Sequence, residues 1–120
     1  MPTLAETLAN YVVVDHAYVG RQVVPLSQIR GSVTPARSHD FDASFRLLRN
    51  HDRARWQSIL AARRRGVRLP PVTLIQLGAI YFIEDGHHRV SVARAEERPD
   101  IEAEVTVLQV AEAPAWEGTR

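Results

Sequence analysis

The stretch from Pro70 to Ser91 leaves the chain few conformational choices. Pro70-Pro71 forbids a helix interior and holds the backbone extended into Val72-Thr73-Leu74-Ile75-Gln76-Leu77. Gly78-Ala79 is a two-residue turn signal, and Ile80-Tyr81-Phe82-Ile83 returns as a second apolar strand. After Glu84-Asp85-Gly86 a helix is predicted from His87 to about Ala95, broken by Arg98-Pro99-Asp100. Ile101, Ala103, Val105 and Val107 then alternate with Glu102, Glu104 and Thr106, the pattern of a last strand with one buried face.

The flanks are read more coarsely. Thr3 with Glu6 three residues on is a capping-box pattern, and Leu4, Leu8, Tyr11 and Val12 fall at helical spacing. A helix is therefore predicted at the start, ending near the β-branched run Val12-Val13-Val14, and residues 1–20 are set apart as an N-terminal helix extension. Val23-Val24 reads as a short strand and Leu26 to Ile29 as a single turn. Gly31, Ser32, Pro35 and Ser38 favour loop, and Asp42 caps a short helix carrying Phe45, Leu47 and Leu48. A clearer helix starts at Asn50 or Asp52, with Trp56, Ile59, Leu60 and Ala62 as its apolar stripe and Gly66 as its stop. The order predicts an α+β domain, a small mixed sheet with packed helices, over 21–110, and a flexible tail over 111–120.

At 120 residues the chain is the size of one domain. It has no cysteine, which excludes disulfides, thiolate metal sites and thiol nucleophiles, and no lysine, which excludes Schiff-base chemistry. Any anion must then be met by guanidinium groups, histidine or backbone N–H. The net charge of +1 conceals an asymmetry: residues 1–20 carry −2, residues 21–68 carry +8 and residues 69–120 carry −5. The basic block points to a phosphate-bearing partner. No apolar run approaches the roughly 18–20 residues that span a bilayer, and the N-terminus lacks a signal-peptide layout. A soluble cytoplasmic protein with no membrane partner is the expectation.

Chemistry concentrates at Glu84-Asp85-Gly86-His87-His88-Arg89-Val90-Ser91. The first N–H groups of the helix opening there lack intrahelical partners, and the helix dipole adds partial positive charge. Gly86 would let a ligand approach the backbone, and His87, His88, Arg89 and Ser91 add donors, which together describe a phosphate site. Carboxylates at Asp85 and Glu84 repel phosphate unless they serve a bridging Mg²⁺ or accept a substrate proton; Asp85 alternatively caps the helix. A dedicated protein metal site is not expected, because adjacent His87 and His88 point about 100° apart on a helix. Arg37, Asp40 and Asp42 form a second-rank group in a loop able to fold over a nucleotide, Arg37 against phosphate and the acids against metal or substrate.

Three pieces of the sequence resemble the ParB N-terminal domain of the ParB/sulfiredoxin superfamily, across about two-thirds of the chain. Val24-Pro25-Leu26-Ser27-Gln28-Ile29 is similar to the domain's opening. Ser58-Ile59 through Gly66, with Pro70-Pro71 and Val72, is similar to its helix–glycine–proline–strand segment. Asp85-Gly86-His87-His88-Arg89 with Ala93 stands where ParB has "GERR.R" and sulfiredoxin "GGCHR". The resemblance implies a bacterial protein that binds a nucleoside di- or triphosphate with Mg²⁺, as an NTPase or small-molecule phosphotransferase. It also implies that Arg68 or one of Arg63, Arg64 and Arg65 reaches the nucleotide. Where sulfiredoxin has cysteine this chain has His87, so sulfinic acid reduction by that route is excluded. Leu69 and Ser91 depart from the residues usual in ParB. The "DGHHR" form is closer to the superfamily's standalone proteins and free-serine kinases. The alternative reading is a DNA- or RNA-binding or nuclease-like module, and a homodimer through the N-terminal helix is a further expectation.

Overall fold

The hairpin comes first in the argument because the rest of the sheet assembles around it. The computed structural model describes residues 1–34 and 53–113. Val72–Leu77 (β3) and Ile80–Asp85 (β4) pair antiparallel with Leu77 opposite Ile80, so Gly78-Ala79 is the two-residue turn the sequence signals. The helix His87–Ala95 (α3) follows at once and returns the chain to Asp100–Glu112 (β5), which lies parallel to β3 with Val72 opposite Ala103.

Two strands complete the sheet. Tyr11–Pro25 (β1) pairs antiparallel with β5, and Ile29–Ser32 (β2) pairs parallel with β4, giving the order β1-β5-β3-β4-β2. A 3₁₀ turn, Leu26–Gln28, joins β1 to β2 where a single turn is expected. With the helices Leu4–Thr7 (α1) and Arg53–Arg64 (α2), the described residues form the α+β architecture read from the sequence. Among them, no helix is long and apolar enough to cross a membrane.

The core lies between the sheet and α3. Val24, Leu26, Ile29, Val72, Leu74, Tyr81, Ile83, Val90, Ala93, Ala103 and Val105 form one buried cluster. Each fully buried Val, Leu or Ile contributes roughly 1.5–3 kcal/mol, which makes this cluster the main source of stability. Helix α2 docks on α3 through Trp56, whose Nε1–H donates to Ser91 Oγ at 2.9 Å, and through an Arg63–Glu96 ion pair at 2.7 Å. Its C-terminal end is a glycine-terminated turn at Gly66, with Val67 N–H bonded to Ala62 C=O at 3.0 Å.

The start of the chain differs from its prediction. The capping threonine is in place, with Thr3 Oγ1 accepting from Glu6 N–H at 3.2 Å, but α1 is one turn long. Tyr11 onward is strand, not helix, because Val12, Val13, Val14, Val19, Val23 and Val24 fit a pleated ladder and β5 supplies one. Register shifts at Val13/Asp15 and Tyr18/Gly20 break the period-2 signal that would have revealed it. The same pairing carries β5 to Glu112, so Ala111 and Glu112 end a strand instead of opening a tail. Strand β2 was not predicted. Its Gly31 meets a close approach: a Cβ there would lie 2.3 Å from Pro2 O and 3.1 Å from the Phe82 ring. The predicted short helix at Asp42 and the tail beyond Ala113 lie outside the described residues.

Candidate functional site

The site begins where β4 hands over to α3. Gly86 is the helix N-cap with φ +105°, a left-handed conformation that side chains rarely adopt. A Cβ there would lie 2.5 Å from Val72 Cγ1. Glycine is therefore required by backbone conformation and by packing against β3; the ligand approach inferred from the sequence is not what fills that space. The first intrahelical bond runs from Val90 N–H to Gly86 C=O at 3.0 Å, so the amides of His87, His88 and Arg89 open the helix. No side chain caps this end.

Asp85, the alternative cap, turns instead to Arg89, whose Nη2 donates to Asp85 Oδ2 at 3.1 Å. Its side chain is 76% exposed and stands at the rim. Arg89 is only 19% exposed, and its Nη1 also donates to the carbonyls of Pro70 and Pro71 at 2.8 and 3.1 Å. It clamps the entrance of β3 to the start of α3, and its fixed charge lies against the helix opening.

A cavity of about 50 Å³ sits over that opening, lined by Arg55, Ile59, Asp85, Gly86, His87, His88 and Arg89. A water takes about 30 Å³ of liquid, so the cavity seats one small oxyanion, and anything larger extends out of it. Arg55 comes from α2 and is exposed; among the described residues it has no hydrogen-bond or ion-pair partner. Sequence reasoning did not single it out. Arg55 and Ile59 are four residues apart and share a helix face, but only the docking of α2 on α3 shows that this face meets the loop.

The remaining site residues distribute differently. The His87 and His88 rings are buried at 5% exposure. His87 Nε2 and Ser32 Oγ share a hydrogen bond of 2.6 Å that ties α3 to β2; Ser32 is fully buried and out of reach of a substrate. Ser91 accepts from Trp56 and lies away from the cavity. Glu84 is exposed at a register shift of β4 and does not line it. Arg68 pairs with Glu102 at 2.8 Å and lines a separate cleft. Arg37, Asp40 and Asp42 fall outside the described residues. Among the described residues, no three histidine or acidic side chains come together as metal ligands.

No protein-family model matches the sequence, and no curated protein matches it. Among solved structures it is similar to sulfiredoxin from Arabidopsis thaliana, with a TM-score of 0.52 and 19% identity over 71% of this chain and 82% of that one. It also aligns with a C-terminally truncated chromosome-partitioning protein ParB from Caulobacter crescentus complexed with CTP-γ-S, with a TM-score of 0.49 and 16% identity over 81% and 47% of the chains. A Pnob8-like ParB-N domain aligns with a TM-score of 0.47 and 11% identity over 88% and 34%. The chain thus spans less than half of either ParB structure. At 19% identity the likeness to sulfiredoxin is one of fold: the chain has a sulfiredoxin-like α+β architecture, the class predicted from its sequence.

Proposed function

We propose, starting from that shared fold, that the chain binds a nucleoside di- or triphosphate with its phosphates at the opening of α3. The observation that carries this reading is a helix start with no side-chain cap, facing a cavity walled by a guanidinium that has no protein partner among the described residues. The amides of His87, His88 and Arg89 would donate to one phosphate, and Arg55 would close on it from α2. The His87 ring, held by Ser32, fixes the helix start without touching the ligand. Arg89 acts through its charge, since its fork is already bonded to Pro70, Pro71 and Asp85.

Asp85 fits a magnesium ion: it is a hard oxygen donor, exposed at the cavity rim, and would hold a phosphate-bound Mg²⁺ that neutralises charge on the phosphates. Without the ion, its charge repels the phosphates. Where an acceptor hydroxyl is phosphorylated, the same carboxylate would take its proton. Glu84 has no role in this reading.

Calorimetric titration with ATP, ADP, CTP and GTP, each with and without Mg²⁺, tests it. Arg55→Ala is expected to weaken the nucleotide that binds by about tenfold or more, the value of a hydrogen bond to a charged group. Asp85→Asn keeps an acceptor for Arg89 and is expected to abolish the gain in affinity from Mg²⁺ while leaving Mg²⁺-free affinity equal or higher. Binding by none of the four at millimolar concentration would reject the reading.

A further inference from the structure

A second cleft, of about 250 Å³ and five times the volume of the loop cavity, shares Arg89 with it. Arg63, Arg68, Arg89 and Arg98 line it, together with the apolar Leu69 and Ile101. Against them the lining carries two carboxylates, Asp100 and Glu102, and Glu96 and Asp85 pair with Arg63 and Arg89 from outside it. We propose that this cleft is a second oxyanion site, for a small phosphate ester or dicarboxylate whose carbon body lies against Leu69 and Ile101.

The charge pairing leaves one guanidinium of the cleft without a side-chain partner among the described residues. Arg63 is held by Glu96 at 2.7 Å, Arg68 by Glu102 at 2.8 Å and Arg89 by Asp85 at 3.1 Å. Arg98 has no side-chain partner among the described residues. Its place is set by the backbone. Glu97 takes φ +56°, a left-handed conformation unusual without glycine, and Arg98 N–H bonds back to Ala93 C=O at 3.1 Å to close the end of α3. The Arg68–Glu102 pair is the other adjustable member. Its side chains are 79% and 40% exposed, and an ion pair so solvated yields readily to a competing oxyanion. Guanidinium forks match phosphate and carboxylate alike, so the shared chemistry is the planar two-oxygen edge, not one particular acid. The volume holds about eight waters at roughly 30 Å³ each, which suits a small metabolite.

The test is a ¹H–¹⁵N titration of the full chain with inorganic phosphate and, separately, with succinate, following backbone amides and arginine Nε–H signals. Binding of either probe should shift Leu69, Ala93 and Ile101, persist in Arg55→Gln, and weaken at least tenfold in Arg98→Gln. The tighter of the two probes assigns the ligand class. Nucleotide affinity should show the reverse pattern, weakened about tenfold or more in Arg55→Gln and kept in Arg98→Gln, so either site can fail without the other. Shifts confined to Gly86–Arg89, or an Arg98→Gln variant that binds both probes as the parent does, would overturn the proposal.

Discussion

Gly86 is where a single residue decides both fold and site. Its φ of +105° and the 2.5 Å approach of Val72 Cγ1 to any added Cβ act in the same direction. Overpacking costs about 1–3 kcal/mol and the left-handed backbone about 1–2 kcal/mol more. Gly86→Ala should therefore lower unfolding free energy by about 2–5 kcal/mol in urea. Adding Val72→Ala should recover part of that loss, a favourable coupling visible in a double-mutant cycle; strictly additive losses would show that Val72 is not the obstacle. Glu104 offers a second residue-level case. Its carboxyl is held below the usual carboxylate range first by the Tyr18 hydroxyl, against the opposing effect of burial, and then by Arg21 Nε at 3.2 Å. A carboxylate with a depressed folded pKa adds stability above its unfolded pKa and loses it as pH falls through the folded value. Tyr18→Phe should thus raise the Glu104 pKa in a side-chain ¹³C titration, and its stability deficit should be present at neutral pH and vanish in acid. An unchanged titration would mean that the hydroxyl contributes nothing.

Among the elements, those coded by neighbours in sequence were legible and those coded by distant partners were not. The hairpin over 72–85 and the helix over 87–95 were readable because Pro70-Pro71, Gly78 and Gly86 punctuate them locally. Strand β1 was misread because Leu4, Leu8, Tyr11 and Val12 fit a helical stripe, while the partner that makes it a strand lies about ninety residues away. The site divided along the same line. Asp85, Gly86 and the opening amides were visible in one short string, whereas the inward turn of the His87 ring depends on Ser32, and Arg55 depends on how two helices dock. The long pairing has a dynamic consequence. Strand β3 supports β5 only from Ala103 to Val107, so Tyr11–His16 with Leu108–Glu112 is a two-stranded ribbon. Two strands alone are marginal in water. Their amides should exchange with solvent at least ten times faster than those of Arg21–Val24 and Ile101–Val105 in hydrogen-exchange measurements. Equal protection along β1 would show that another surface covers the ribbon.

Over the whole molecule, the charge asymmetry of the sequence becomes a spatial one. Arg53, Arg55, Arg63 and Arg64 lie on α2, and Asp100, Glu102, Glu104 and Glu112 lie on β5. Arg68–Glu102 is a largely exposed pair between the two regions and is worth at most about 1 kcal/mol, so it moderates the field without cancelling it. The exposed arginines Arg53, Arg64 and Arg65 have no ion-pair partner among the described residues and present a basic face that a polyanion could use. Nucleotide and nucleic acid would use this field differently. In the proposed site a phosphate would be bonded by Arg55 and the α3 amides, and the exposed Arg53, Arg64 and Arg65 would act on it only through solvent, screened within about 8 Å at physiological salt. A duplex would instead release one counterion per phosphate neutralised, so its affinity would fall with log salt at a slope of about −0.9 for each contact. The triple variant Arg53→Ala/Arg64→Ala/Arg65→Ala should therefore change nucleotide affinity less than about threefold, against the tenfold or greater loss for Arg55→Ala. Measured beside it, duplex DNA binding that falls with a slope of several units and disappears in the triple variant would put the nucleic-acid reading ahead of the nucleotide one.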